Sequence, residues 1–376
     1  MSLRGLIGGL LTVLVLAGCE RAVIFHERDS YPVRLSDWHV VWREGDSLRV
    51  NESVLTYAVA TPLFSDYAMK LRTIYVPPEL QASYRKDQAF DFPVGSIVSK
   101  TFYYERAHAD SPELVIDARS KPGHPTAVTG SSPRPREISF RNHRVMETRL
   151  LVRQPDGWDA LPYIWDGDDA YLSVTGKVLP ARLEHQEFAY VVPTRNECGA
   201  CHVANHTSRD LRPLGLTARQ LDHGEDDANP LQALRERNWI KDLPHEDLIS
   251  STASSSAVAS LDARARAYLD ANCGHCHHAG GAADTSGLLL DASVRNPRHM
   301  GLCKPTIAAG SGTGGRSFGI VPGAPDASVL LYRMTTTDPA ARMPELGRAL
   351  VHTEGVALIR SWIAAMPGGM DACIKT

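Results

Sequence analysis

The most constraining feature of the sequence is a short pattern that occurs twice, Cys-x-x-Cys-His. Its residues are Cys198, Cys201 and His202 in the first copy, and Cys273, Cys276 and His277 in the second. This pattern is the attachment signature of c-type haem. Two intervening residues let both sulfurs reach the vinyl groups of one porphyrin, and the adjacent histidine then faces the iron as proximal ligand. The sequence therefore predicts two covalently bound haem c groups.

Zinc sites and redox dithiols also use Cys-x-x-Cys pairs, so both are alternatives to haem. A structural four-cysteine zinc site usually separates its pairs by about 15 to 20 residues. Cys201 and Cys273 are much farther apart, and a histidine follows each pair. A thioredoxin-like dithiol would need a βαβ context that the pattern of apolar residues does not indicate. These observations favour haem at both motifs.

A six-coordinate haem needs a second axial ligand on the face opposite the proximal histidine. Met343, followed by Pro344, lies between two predicted helices and is the predicted distal ligand of the second haem. Methionine opposite histidine raises the reduction potential and closes the iron to substrates. For the first haem the sequence singles out no ligand among Met69, Met146, His206, His223 and His245. An open or water-bound iron is the alternative there.

The N-terminus has the pattern of an exported lipoprotein. Arg4 precedes an apolar run, residues 5–16, which is short for a membrane-spanning helix. The run ends in Leu-Ala-Gly-Cys, which resembles a bacterial lipobox with Cys19 as the lipidated residue. An uncleaved anchor or an ordinary signal peptide is the alternative. We expect a signal peptide over residues 1–18 and a protein held on a membrane by acyl chains. Glu20, and not aspartate, follows the cysteine, which by resemblance to lipoprotein sorting in enterobacteria implies the outer membrane.

Two further cysteines, Cys303 and Cys373, remain after the motifs and Cys19 are assigned. Exported proteins meet oxidising conditions, so these two predict a disulfide. Two unpaired thiols are the alternative, because the sequence does not show whether the two Cα atoms approach each other.

Composition separates the chain from several classes of protein. Charged residues make up 22% and apolar residues 43% of the 376 residues, which is typical of a globular protein. The net charge of −3 lacks the basic excess of a nucleic-acid binder. We therefore expect no nucleic acid among the partners.

The pattern of apolar residues changes along the chain and predicts an α+β protein. Residues 19–195 predict an antiparallel β-rich N-terminal domain, because short β-branched and aromatic segments alternate with turn residues. Residues 196–250 form the first haem-binding segment, partly helical, and residues 251–260 are rich in Ser and Ala and predict a linker. Residues 261–376 predict a helical domain that holds the second haem. Strands are predicted at residues 71–76, 97–104, 137–141, 146–154, 171–174 and 188–192.

The chain resembles known families in two ways. Residues 263–365 resemble a class I cytochrome c, which implies an all-α domain after the β-rich part. Nearly the whole mature chain resembles a family of bacterial dihaem c-type cytochrome lipoproteins of poorly defined role. The matching segments are TPLFSDY (residues 61–67), VGSIVSKTFY (94–103), ETRLLVRQPDGWDALP (147–162), AYLDANCGHCH (267–277) and MPELGRALVHTEGVALIR (343–360).

The resemblance implies haem attachment and proximal ligation at the six motif residues and distal ligation at Met343. It also suggests an exported parallel β-helix protein as a partner. The predicted function is one-electron transfer between redox partner proteins on the periplasmic or outer-membrane side. Two alternatives stay open. One is a haem enzyme, such as a dihaem peroxidase-like oxidoreductase with an open first haem, and the other is a cytochrome subunit of a larger exported complex.

Overall fold

The computed structural model describes residues 21–106, 114–116, 137–183, 186–224, 229–244, 254–307 and 310–374. Cys19 and the predicted signal peptide, residues 1–18, lie outside these ranges. Within them, no helix is both long enough and apolar enough to cross a membrane.

The first half of the chain is built of strands. They are β1 (Val41–Glu44), β2 (Ser47–Val50), β3 (Leu55–Tyr57), β4 (Met69–Tyr75), β5 (Ala82–Ser83), β6 (Ile97–Arg106), β7 (Leu114–Ile116), β8 (Glu137–Ser139), β9 (His143–Gln154), β10 (Gly157–Asp166), β11 (Asp169–Leu172), β12 (Lys177–Leu183), β13 (Gln186–Val192) and β14 (Ile240–Lys241). The main sheet has the order β11-β10-β9-β6-β7-β12-β13, with β4 paired to β6 and β3 paired to β4. Its pairs are antiparallel except for the parallel pair of β7 and β12.

The central strands of this sheet are buried on both faces. Successive side chains of a strand point to opposite sides, and a separate apolar cluster packs on each side. Ile97 of β6 packs in a cluster with Leu35 and Trp38, which lie in a short 3₁₀ helix (Leu35–Trp38). The next residue, Val98, belongs to a cluster on the other face that includes Leu216 and Leu231 of the first haem-binding segment. This segment therefore packs directly on the sheet.

The helices are short and lie mostly in the second half. They are α1 (Cys198–His202), α2 (Ala218–Leu221), α3 (Pro230–Glu236), α4 (Leu261–Leu269), α5 (Val329–Thr335), α6 (Thr353–Ala364) and α7 (Met370–Ile374). Ser260 caps α4 by accepting a hydrogen bond from the Ala263 backbone N–H, and Asn229 caps α3 in the same way. Helix α4 continues into a π-helical turn, Asp270–Gly274, which carries the first cysteine of the second motif.

The predicted fold class, an antiparallel β domain followed by an all-α class I cytochrome c domain, is wrong. The protein is sheet-rich, and its helices after residue 261 are short. Between the π-helical turn and α5 the described chain is irregular. It has 3₁₀ turns at Asp284–Ser286, Gly310–Thr313 and Pro325–Ala327 and isolated bridges such as Leu302 to Ile320. Glycine and proline disfavour helix, and this part of the chain contains many of both, which explains why it is not helical as predicted.

The predicted linker is also partly tied to the sheet domain. Ser254 is buried, and its backbone N–H donates to the Thr61 hydroxyl at 3.0 Å. The Arg264 side chain of α4 donates to the Ser254 carbonyl at 2.9 Å. This end of the 251–260 segment therefore joins the two parts of the protein through fixed contacts.

Candidate haem sites

The second motif lines a cavity of about 280 Å³ in the C-terminal part of the chain. Cys273, Cys276 and His277 face it from one side, and Met343 faces it as well. Apolar side chains such as Leu290 form much of the remaining wall. The structure thus brings the predicted proximal and distal ligands of the second haem into one apolar cavity.

Hydrogen bonding fixes the ring of His277 in the state that an iron ligand needs. Its Nδ1 lies 3.1 Å from the Leu288 carbonyl oxygen, so Nδ1 carries the proton and Nε2 has a free lone pair. Burial lowers the pKa of His277, which favours the neutral ring. Among the described residues nothing bonds to Nε2. Metal-bound histidines commonly donate the hydrogen of their other ring nitrogen to a backbone carbonyl in this way, which fixes the orientation of the ring.

A buried arginine holds the loop that carries Met343. Arg348 is only 5% exposed and donates to the carbonyl oxygens of Met343 at 3.0 Å and of Arg333 at 2.9 Å. Its guanidinium also donates to the Thr336 carbonyl at 3.1 Å. Because a guanidinium presents several donors in a rigid plane, one side chain fixes several backbone positions. Arg348 therefore positions the methionine loop against helix α5.

The segment TPLFSDY ties the same loop to the sheet domain. The Asp66 carboxylate accepts hydrogen bonds from the backbone N–H groups of Ala349, at 2.8 Å, and Leu350, at 2.7 Å. Tyr67 accepts from the Thr353 backbone N–H at 3.0 Å, at the start of α6. Burial raises the pKa of Asp66 to about 6. The residues after Met343 are thus held by a segment far away in the sequence.

The first motif lines a second cavity, of about 240 Å³, between helix α1 and the main sheet. Cys198, Cys201 and His202 all face it. His202 Nδ1 lies 2.8 Å from the Arg212 carbonyl oxygen, and burial lowers the pKa of His202 to about 4. No described residue bonds to its Nε2. Both motif histidines therefore have the same protonated nitrogen, the same free nitrogen and the same kind of carbonyl partner.

Three cationic side chains line the sheet side of this cavity in a row across adjacent strands. Arg72 of β4 is directly opposite Lys100 of β6, which is directly opposite Arg149 of β9. Arg149 pairs with Glu147 through a 2.7 Å hydrogen bond. Burial, with Arg72 and Arg149 nearby, lowers the pKa of Lys100 to about 7. Like charges that face each other across strands are destabilising, so the row calls for a functional explanation.

The two cavities adjoin each other and share a wall. The residues that line both are Phe64, Cys201, His275, Pro344, Leu346 and Arg348. The two motifs meet here, because Cys276 Sγ lies 3.2 Å from the carbonyl oxygen of Ala200, between the two cysteines of the first motif, and Cys201 and Cys276 line the same cavity. His278 further ties the motifs together through the Ala204 carbonyl at 3.1 Å.

None of the described residues that the sequence offered as distal ligand of the first haem lines its cavity. Met146 is buried in a separate apolar cluster, and Met69 packs on another. His206 contacts the Gly280 carbonyl, and His223 lies 3.3 Å from the Ala58 carbonyl. The remaining candidate, His245, lies outside the described residues. The four described candidates are therefore placed away from this site.

The predicted pair Cys303 and Cys373 forms a disulfide in the structure, with Cα atoms 4.7 Å apart. The four motif cysteines are free thiols. Across the part of the chain that the structure describes, no three His, Cys, Asp or Glu side chains converge on one point as metal ligands. The motif cysteines thus do not form a shared tetrahedral site of the kind that structural zinc requires.

The residues present fit two c-type haems. Each site combines a pair of free thiols, a neutral imidazole with an available Nε2, and a cavity beside them. His275 adds a further indication, since it is 8% exposed and its Nδ1 has no hydrogen-bond partner among the described residues. A buried polar atom without a partner is uncommon and often marks the place of a missing ligand or water.

Sequence reasoning missed several of these residues. Asp66, Lys100 and Arg348 lie within the segments that carry the family resemblance, which was the available signal, but no motif assigned them a role. The sequence matches no protein-family profile, and no curated protein and no solved structure shows significant similarity to the chain. The chemistry of the sites is therefore argued from their own residues.

Proposed function

We propose that the protein is an exported dihaem c-type cytochrome that transfers electrons one at a time. The observation that carries the proposal is the equivalent construction of the two motifs. Each places two thiols and a neutral imidazole, fixed through Nδ1 by a backbone carbonyl, at its own cavity. When bound at such a site, haem supplies reversible one-electron iron chemistry.

The shared wall between the cavities supports electron transfer within the protein. Cys201 and Cys276, the proposed attachment residues of different haems, line the same cavity, and His275 lines both cavities. Groups attached at these cysteines would be neighbours in a region of low dielectric constant. The apolar walls exclude water, and the histidine hydrogen bonds to Arg212 and Leu288 set the basicity of the proximal ligands.

Haem content is the direct test. The protein would be produced in a host that attaches c-type haem, denatured, and weighed by intact-mass spectrometry. We expect two covalently bound haems, one fewer after C198A/C201A, and one fewer after C273A/C276A. The matched control is C303S/C373S, which removes two cysteines outside the motifs and should keep both haems. Denatured wild-type protein without covalent haem would overturn the proposal.

The assignment of Met343 as distal ligand of the second haem has its own control in the same cavity. Met334 also lines this cavity but lies in helix α5. We expect Met343→Leu to lower the reduction potential of one haem and to abolish its methionine-ligation absorbance, because methionine favours the ferrous state. Met334→Leu should leave both properties unchanged. If Met334→Leu changed both properties and Met343→Leu changed neither, the ligand would be Met334.

Export and lipidation at Cys19 belong to the same proposal and rest on the lipobox pattern. We expect the wild type in the outer-membrane fraction with acylated Cys19, and Cys19→Ser in the soluble periplasmic fraction. Co-purification of a stoichiometric exported protein, such as the β-helix partner, would make the chain a subunit of a complex. Carbon monoxide binding and peroxide turnover at the first haem would make the chain an enzyme.

A further inference from the structure

We propose that Lys100 is the sixth ligand of the iron at the first site, opposite His202. The inference rests on the proposed function, because it assigns a residue of this chain to one of the two haems. It fills a position from which the four described candidates, Met69, Met146, His206 and His223, are absent. It also gives a role to the central member of the cationic row on the sheet.

The location of Lys100 is the first argument. Helix α1 presents His202 to the cavity from one side, and strand β6 presents Lys100 to it from the sheet. Alternation along β6 places Lys100 on the same face as Val98, which packs against the first haem-binding segment. Among the residues that line this cavity, His202, His275 and Lys100 carry a nitrogen that can bind iron when uncharged.

His275 does not fit the distal position as well as Lys100. It lines both cavities together with Cys201, which would attach the porphyrin on the same side as His202. It also belongs to the second motif, between Cys273 and Cys276, and lines the wall between the two cavities. This places His275 at an edge between the sites, whereas Lys100 lies on the sheet that forms the other side.

The lack of any partner for the Lys100 amine is the second argument. Within the described residues it donates no hydrogen bond and forms no ion pair, and its Nζ lies 5.4 Å from the centre of the Phe102 ring. The two carboxylates that line the cavity accept hydrogen bonds from backbone N–H groups. Asp66 accepts from Ala349, and Glu197 accepts from Thr194 at 2.8 Å. A buried amine without an anion is costly as a cation.

Lys70, in strand β4 of the same sheet, is a buried lysine whose amine has hydrogen-bond acceptors. Its Nζ donates to the carbonyl oxygens of Leu63, at 2.9 Å, and Ala68, at 3.2 Å. Lys100 has no such acceptors among the described residues, and Arg72 and Arg149 lie directly opposite it on the neighbouring strands, where like charges favour the uncharged amine. An uncharged amine is the form that binds iron. Lys70 is therefore the matched control for Lys100.

The alternative role for Lys100 is a charge that pairs with a porphyrin propionate. Lys100→Arg separates the two roles, because a guanidinium keeps the positive charge but does not deprotonate to bind iron. Lys100→Ala removes both. Lys100 also lines a wider cleft of about 670 Å³, from which water can reach an iron that has lost its amine ligand.

The experiment uses the full-length, haem-loaded protein, with electron paramagnetic resonance of the ferric form and carbon monoxide binding by the ferrous form. We expect two low-spin haems in the wild type and in Lys70→Arg. In Lys100→Arg and Lys100→Ala, one of the two haems should become high-spin and bind carbon monoxide. A wild type with one high-spin haem, or Lys100→Arg with both haems low-spin, overturns the inference.

A second measurement covers variants that fail to mature. Wild-type protein labelled with ¹⁵N-lysine should show a lysine-nitrogen hyperfine coupling to one ferric iron by electron–nuclear double resonance. Absence of that coupling overturns the assignment of Lys100. The two proposals fail in different ways. Protein without haem on Cys198 and Cys201 refutes the proposed function, whereas haem there without a lysine ligand refutes only this inference.

Discussion

The carboxyl group of Asp66 should make the stability of the protein depend on pH. Folding moves this carboxyl from water into the contact between the sheet domain and the methionine loop, and burial raises its pKa from 3.8 to about 6. Because the folded state holds the proton more tightly than the unfolded chain, the stabilisation is fully present below pH 3.8. It is lost as the pH rises through 6.

The magnitude follows from the shift. A change of one pKa unit corresponds to about 1.4 kcal/mol, so the shift of Asp66 amounts to about 3 kcal/mol. Asp66→Asn keeps an acceptor oxygen for the backbone N–H groups of Ala349 and Leu350 and does not ionise. Asparagine also tolerates the left-handed backbone at this position, where φ is 49°. Relative to Asp66→Asn, the wild type should lose up to about 3 kcal/mol between pH 4 and pH 8.

Urea unfolding of the haem-loaded proteins, followed by tryptophan fluorescence at pH 4, 6 and 8, measures this difference. Glu52→Gln, in an exposed turn, is the control and should follow the wild type at every pH. Asp66→Ala should be less stable than Asp66→Asn at all three values, because it leaves two buried N–H groups without an acceptor, at about 1–3 kcal/mol each. A difference between wild type and Asp66→Asn that stays constant, or that grows in favour of the wild type with pH, would refute the reasoning.

Two further predictions concern the C-terminal part. A Cβ atom added at Gly355 of α6 would overlap the buried ring of Tyr268 in α4, so Gly355→Ala should destabilise the protein by about 1–3 kcal/mol. Thermal unfolding measures this loss, and an unchanged midpoint would show that the ring can move aside. The Cys303–Cys373 disulfide closes a loop with a sequence separation of 70, and C303S/C373S should lower the free energy of unfolding by about 4 kcal/mol. Reductant should produce the same loss in the wild type, and equal stability with and without reductant would contradict it.

The strands show how far local sequence patterns reach. Strands β4, β6, β9 and β13 overlap the predicted segments, because β-branched and aromatic residues are concentrated in them. Strand β10 was missed, since Gly157, Asp159 and Pro162 interrupt its pattern. Pairing with β9 across a tight turn overrides those local preferences. The prediction of an all-α C-terminal domain was wrong because it rested on a few helical segments. Those segments do not determine the structure of the chain that connects them.

The sequence by itself determined the chemistry that depends on residues close together in the chain. A cysteine pair and a following histidine, within five residues, predict a haem attachment site from local sequence alone. The tertiary structure alone decided that the two cavities adjoin, that Asp66 accepts hydrogen bonds from the methionine loop, and that Lys100 and His202 line one cavity. These contacts join residues that are far apart in sequence, and they form only when the sheet and the helices pack together. A pattern of neighbouring residues therefore does not predict them.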